Sequence, residues 1–139
     1  MKKVGHIVKI PHIKIGVSDL KRSVSFYENT MDLKKMSEDP TYVIFDVGGV
    51  ELGFGPGKPE LYLLVDDVDT AYADLRAKGA KFVGEPRDQP WGARSVTILD
   101  PDGNAFVLES FKCRTCGKSY QSYLELAEHV KEHKRPIKQ

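Results

Sequence analysis

Four residues near the C-terminus carry the sharpest chemical signal in the chain: Cys113 and Cys116 with two residues between them, then His129 and His133 with three, and twelve residues between the pairs. Two thiolates and two imidazoles at these spacings close a tetrahedron around Zn2+, which takes sulfur and nitrogen donors in four-coordinate structural sites. With every position filled by protein, none stays open for a substrate, so the expected role is structural. Phe111, Tyr120 and Leu126 stand where a small apolar core would form around such an ion. So short a segment cannot bury enough apolar surface alone; the metal supplies the missing free energy, roughly 10 to 16 kcal/mol apparent in isolated peptides of this type. A cysteine pair followed by histidines also points to a reducing compartment, and the cytoplasm is the expected location.

These spacings predict a ββα C2H2 zinc finger and basic tail over residues 111–139, appended to a larger body over residues 1–110. The basic run Lys131, His133, Lys134, Arg135, Lys138 lies within it. Nucleic acid is not the expected partner. The helix positions that would face bases are Ser122, Leu124, Glu125 and Glu128, and carboxylates meet phosphate badly. A lone finger reads only about three base pairs, and the formal net charge is only +1.

The body has ordinary globular composition, with 40% hydrophobic and 29% charged residues in a chain of 139, so one full core plus a small appendage is expected. No run of eighteen apolar residues offers a membrane span, and His6 and Lys9 interrupt the stretch a secretory signal would need. Residues 10–17 alternate Ile13, Ile15, Val17 with His12, Lys14, Gly16, which predicts a half-buried strand. Asp19 then caps a helix carrying Leu20, Val24, Tyr27 and Met31 at helical spacing. TYVIFDVGG and VELGFG read as a hairpin through Gly48-Gly49. The order then starts again with ELYLLVDD as a strand and VDTAYADLRAKGA as a helix ending at Gly79. RSVTILD and NAFVLES follow as strands joined by Asp100-Pro101-Asp102-Gly103. Val17-Ser18-Asp19-Leu20 aligns with Val65-Asp66-Asp67-Val68, and Ser23, Val24, Tyr27 with Ala71, Tyr72, Leu75, which predicts an internal duplication.

The stretches HIKIGVSDLKRSVSFYENTMDL, FDVGGVELGF, LYLLVDDVDTAYADLRAKGAKF and ILDPDGNAFVLES resemble the vicinal oxygen chelate superfamily, which includes glyoxalase, bleomycin-resistance and extradiol-dioxygenase proteins. The resemblance spans nearly all of residues 7 to 111. It implies an α+β fold of two βαβββ modules whose mixed sheet curls around a cavity with helices outside, and a homodimer. Metal-dependent members take one ligand from each of four strands. Here His12, Glu51 and Glu60 fall at three of those places, and Val107, which cannot ligate, at the fourth. Glu109 lies two residues further along.

The resemblance thus implies a metal-dependent lyase, isomerase or dioxygenase acting on a small substrate with vicinal oxygens. A second divalent metal (Ni2+, Mn2+, Fe2+, Co2+ or Zn2+) would sit on His12, Glu51 and Glu60, with Glu51 or Glu60 as the catalytic proton carrier. Lys14, Tyr62 and Glu109 would line the substrate pocket, and Trp91 with Tyr62 could stack on a flat ligand. The alternative is a metal-free protein of the bleomycin-resistance kind that sequesters a small molecule, with Lys14 paired to Glu51 or Glu60 and His12 hydrogen-bonded beside them.

Overall fold

The computed structural model describes residues 7–90 and 92–134. Trp91, the start MKKVGH and the basic residues Arg135 and Lys138 lie outside the described residues. In chain order the elements are β1 (Ile7–Lys9), β2 (His12–Gly16), α1 (Leu20–Ser25) running into a π-helical turn (Phe26–Thr30), β3 (Lys34–Glu38), β4 (Val43–Val47), β5 (Val50–Gly55), β6 (Glu60–Val65), α2 (Val68–Ala77), β7 (Lys81–Asp88), β8 (Arg94–Leu99), β9 (Ala105–Lys112), β10 (Ser119–Tyr120) and α3 (Tyr123–Lys134). The fold is α+β. Two compact units share it: residues 10–62, and residues 1–9 with 63–139, so the division falls inside β6.

In the first unit the strands run in the order β3-β4-β5-β2-β6. β2 lies parallel to β5, and the other pairings are antiparallel. Asp19 caps α1 by accepting from the Arg22 N–H at 3.1 Å, as a short carboxylate does at a helix start. The β4–β5 hairpin turns through Gly48 and Gly49, at φ 59° and 90°. Both positions need the left-handed region that a two-residue turn of this hand requires. Under α1, Ile15, Val17, Leu52 and Tyr27 pack on buried Val24, Val43, Phe45 and Phe54. The alternation read from the sequence therefore holds, with one difference in the helix: after Ser25 it widens into the π turn rather than continuing regularly to Met31. Pro11, which has no N–H to give a ladder, separates β1 from β2.

In the second unit the order is β6-β9-β8-β7, with β1 on β6 and β10 on β9. Asp67 caps α2 as Asp19 caps α1, accepting from the N–H groups of Asp69 and Thr70. Leu63, Tyr72, Leu75, Phe82 and Ile98 pack on buried Val65, Val68, Ala71, Val96 and Leu108. Each unit thus builds the same strand-helix-three-strand module on its own apolar cluster. The Asp100–Asn104 turn is tied by Asp100, whose carboxylate accepts from the N–H groups of Asp102 (2.9 Å) and Asn104 (2.8 Å), with Gly103 at φ 87°.

β9 runs without a break through residue 110, the expected end of the body, to Lys112. Its last two residues, Phe111 and Lys112, pair with Tyr120 and Ser119 of β10. The third apolar cluster consists of Leu64, Ala93, Phe111, Cys113 and Leu126, with Tyr120 and Val130 packed on it. The C-terminal segment therefore has no core of its own, because its apolar side chains share one with β6 and the start of β8.

Candidate functional site

The C-terminal segment arranges its four ligand-type residues locally. A tight turn leaves β9, with the Gly117 N–H donating to the Cys113 carbonyl at 2.7 Å and the Cys113 N–H to the Lys118 carbonyl at 2.8 Å. Gly117 sits at φ 79°, a conformation that suits glycine there. Ser122 and Glu125 secure the start of α3: the Glu125 N–H donates to Ser122 Oγ, and Glu125 Oε2 accepts from the Gln121 N–H, both at 3.1 Å. One helical turn apart on α3, His129 and His133 bring their Nε2 atoms to 2.9 Å, and Cys116 Sγ lies 3.1 Å from His129 Nε2. All four ligand atoms, including that of Cys113, lie within 4.8 Å of one another, and among the described residues this is the group of three or more that could hold a metal ion. Burial pushes the Cys113 thiol up, but the N–H groups of Cys116 and Thr115 and both side chains outweigh it and hold the thiol below its ordinary range. Tyr120, its ring tilted against that of His129 at 4.8 Å, is pushed up by burial first and then by the charges of Cys116, Cys113, Glu132 and Glu125. The donor set fits Zn2+: soft thiolates and imidazoles, converging, with both cysteines free of disulfide.

Docking contacts hold this segment to its unit. Ser119 Oγ donates to the Asp66 carbonyl at 3.1 Å, Lys112 pairs with Asp67 at 3.3 Å, and Arg114 pairs with Asp88 at 3.3 Å. Asp88 also accepts from Arg94, which grips Asp69 through two nitrogens at 2.8 and 3.1 Å.

The first unit assembles a second polar group. His12 and Glu51 are register partners on the parallel strands β2 and β5, and His12 Nδ1 lies 2.9 Å from Glu51 Oε1. The other ring nitrogen, Nε2, meets the Tyr42 hydroxyl at 2.6 Å. Tyr62 stands edge-on to the imidazole at 5.2 Å, and its hydroxyl donates to Glu60 Oε1 at 3.2 Å. Lys14, paired in register with Glu60, brings its ammonium to 3.7 Å from the same oxygen. So His12, Glu51, Glu60, Lys14 and Tyr62 all belong to the first unit, whereas Val107 and the buried Glu109 lie on β9 in the second.

Tyr42 is the member that sequence reasoning missed. An Asp39 turn aims it: Asp39 Oδ1 accepts from the N–H groups of Thr41 and Tyr42 and from the Thr41 hydroxyl, at 2.8 to 3.0 Å. Those bonds, the Thr41 N–H first, hold the Asp39 carboxyl below the usual aspartate range. Space for the ring comes from β5, where a Cβ at Gly53 would collide with the Tyr42 hydroxyl and His12 Nε2, and one at Gly55 with the Tyr42 ring. The signal was the G-F-G pattern in VELGFG, glycines alternating on one face of a strand.

As arranged, this group fits a cation only in part. His12 Nδ1 and Glu51 Oε1 are spaced like adjacent ligands, but Glu60 is held by Lys14 and Tyr62, and three donors do not converge as the four of the C-terminal segment do.

The profile of the Glyoxalase/Bleomycin resistance protein/Dioxygenase superfamily matches residues 9–108. The chain belongs to that superfamily. Among superfamily relatives, the YraH protein of Bacillus subtilis (strain 168) is 30% identical, the match covering 76% of this chain and 98% of that protein. The metallothiol transferase FosB of Lysinibacillus sphaericus (strain C3-41) is 28% identical over 72% of this chain and 80% of its own. In fold the chain is similar to the methylmalonyl-CoA epimerase of Mycobacterium tuberculosis, with a TM-score of 0.62 at 20% identity, covering 78% of this chain and 91% of that one. The superfamily match stops inside β9, before Cys113, so the Cys/His group lies beyond the shared glyoxalase-type region. Among the described residues no helix is long and apolar enough to cross a membrane.

Proposed function

We propose that this chain is a glyoxalase-type metal-dependent enzyme, of the lyase, isomerase or dioxygenase kind, acting on a small molecule with vicinal oxygens, and that its C-terminal segment is a C2H2 zinc finger holding one structural Zn2+. The observation that carries the enzyme reading is the His12–Glu51 pair, an imidazole and a carboxylate 2.9 Å apart on neighbouring strands, with Glu60 on a third strand. A divalent ion bound by His12, Glu51 and Glu60 would supply Lewis acidity toward two adjacent substrate oxygens. The carboxylates of Glu51 and Glu60 are the proton carriers available to such chemistry, and Tyr62 and Lys14 are the groups for orienting the substrate. That relatives of this superfamily are named metallothiol transferase and methylmalonyl-CoA epimerase supports the reading.

A second reading, metal-free sequestration of a small molecule, is favoured by one specific observation: Lys14 and Tyr62 already occupy Glu60, and Tyr42 occupies His12 Nε2. Calorimetric titration of the zinc-loaded full-length chain with Ni2+, Mn2+ or Zn2+ separates the two. Heat in the wild type that His12→Ala abolishes supports the enzyme reading. Equal null heats in both proteins leave sequestration.

For the finger, the shared core supports a buttress rather than a reader of nucleic acid. The free thiols suit a reducing cytoplasm. A homodimer is also part of the proposal, because exposed sheet edges need covering; sedimentation at tens of micromolar giving a monomer would remove it.

A further inference from the structure

Lys14 stands two residues from His12 on β2, and its charge is the one that the donor set His12, Glu51, Glu60 does not need. Its side chain is 17% exposed, against 40% for Glu60, so the ammonium is the more buried partner of the pair. The 3.7 Å separation is an ion-pair distance without a short hydrogen bond. Its register neighbour on β5 is Gly53, and its Nζ lies beside Gly57, where an added Cβ would sit in ordinary contact at 3.5 Å. A partly buried ammonium needs a counter-charge, and Glu60 supplies it.

Take the charges in turn. Glu51 and Glu60 are carboxylates, Lys14 is a cation, His12 is an imidazole and Tyr42 and Tyr62 are neutral phenols. Without Lys14, two carboxylates and an imidazole remain, the set of hard oxygens and one nitrogen that suits a divalent ion. With Lys14 in place, one carboxylate is already neutralised, and an incoming ion beside Glu60 meets an ammonium a few ångströms away. Even at the effective dielectric of a protein surface, repulsion at that range outweighs an order of magnitude in affinity.

We propose that Lys14 is the specificity-determining residue of this cluster: its ammonium is a resident cation that competes with a divalent metal for Glu60. The inference takes its donor set from the enzyme reading above. It adds the reason why that set closes incompletely, and it makes wild-type metal affinity a property of one side chain.

The test uses the zinc-loaded full-length chain with Mn2+ as probe, read by the electron paramagnetic resonance of free Mn2+. Mn2+ is low in the divalent affinity order and does not displace zinc from a thiolate site. Lys14→Met is expected to bind Mn2+ at least about tenfold more tightly than wild type, and Lys14→Arg to restore wild-type weakness by keeping the charge. Retained stoichiometric zinc and an unchanged circular dichroism spectrum show that each variant is folded; Lys14→Gln replaces Lys14→Met if the latter is not. Equal Mn2+ affinity in wild type and Lys14→Met overturns the role of Lys14, and leaves the enzyme reading standing if His12→Ala abolishes that affinity. Binding in Lys14→Met alone upholds the role of Lys14 and makes the wild type a metal-free protein. No binding in either overturns both.

Discussion

The Cys/His group of the C-terminal segment and the His12 cluster of the first unit both gather side chains able to ligate a metal, yet only the first brings its donors together as a ligand shell would. In the segment, two short elements close in sequence set all four donors, so their convergence to within 4.8 Å follows from a turn and one helix face. In the cluster, the donors come from three strands, and each finds a protein partner: Glu51 and Tyr42 for His12, Lys14 and Tyr62 for Glu60. Convergence of donors without competitors marks a metal site, whereas matching residue types do not.

The largest expected effect breaks the comparison on the segment side. Cys116→Ser should abolish stoichiometric zinc, and because the segment's core is shared, it should also loosen the second unit around Leu64 and Ala93. Amide exchange should then rise in β9 and α3 and stay unchanged in β2 to β5. Stoichiometric zinc retained at neutral pH would sink the assignment. Next in size, Leu126→Ala removes a buried side chain from that shared core and should cost about 2 to 5 kcal/mol in chemical denaturation. If the cost is near zero, the segment is not a buttress.

On the cluster side, Gly53→Ala should cost about 1 to 3 kcal/mol through overpacking against Tyr42 and His12. It should also shift the His12 ring resonances, since the added methyl would press on His12 Nε2. The smallest effect is electrostatic. Asp39 and Asp100, exposed but hydrogen-bonded, both have carboxyls held below the usual range, Asp100 by the Asn104 side chain first. Their depressed values make their contribution to stability full above the unfolded aspartate pKa of about 3.9 and lost as pH falls through the folded values. Carbon-detected titration should find both among the last aspartates to protonate as acid is added; ordinary midpoints would dismiss the turn that aims Tyr42.

What could be read from the sequence follows the range of the interactions that encode it. The Asp19 and Asp67 caps, the Gly48-Gly49 turn and the Asp100-Pro101-Asp102-Gly103 turn are local, and each is found where the pattern put it. Polar edge strands were not legible. β3 reads KKMSE and β7 reads KFVGEPRD, charged or proline-bearing as strands at a sheet edge are. Alternation along β6 places Leu64 on the face of Glu60 and Tyr62, whose side chains stay partly exposed. Leu64 is instead 2% exposed beneath Leu126 and Phe111, because the C-terminal segment covers that end of β6, a long-range contact that alternation cannot report. Tyr42 escaped for the same reason: its place depends on glycines that follow it in a different strand.

The continuity of β9 into the segment has a consequence for how the chain is made. Leu64 and Ala93 leave the ribosome well before Phe111 and Leu126, which cover them. Their unit therefore cannot finish its interior during synthesis, since domains fold as their residues emerge. Until α3 is released, the nascent chain carries an open apolar seam, and the length of that interval sets how long each new copy stays exposed to aggregation.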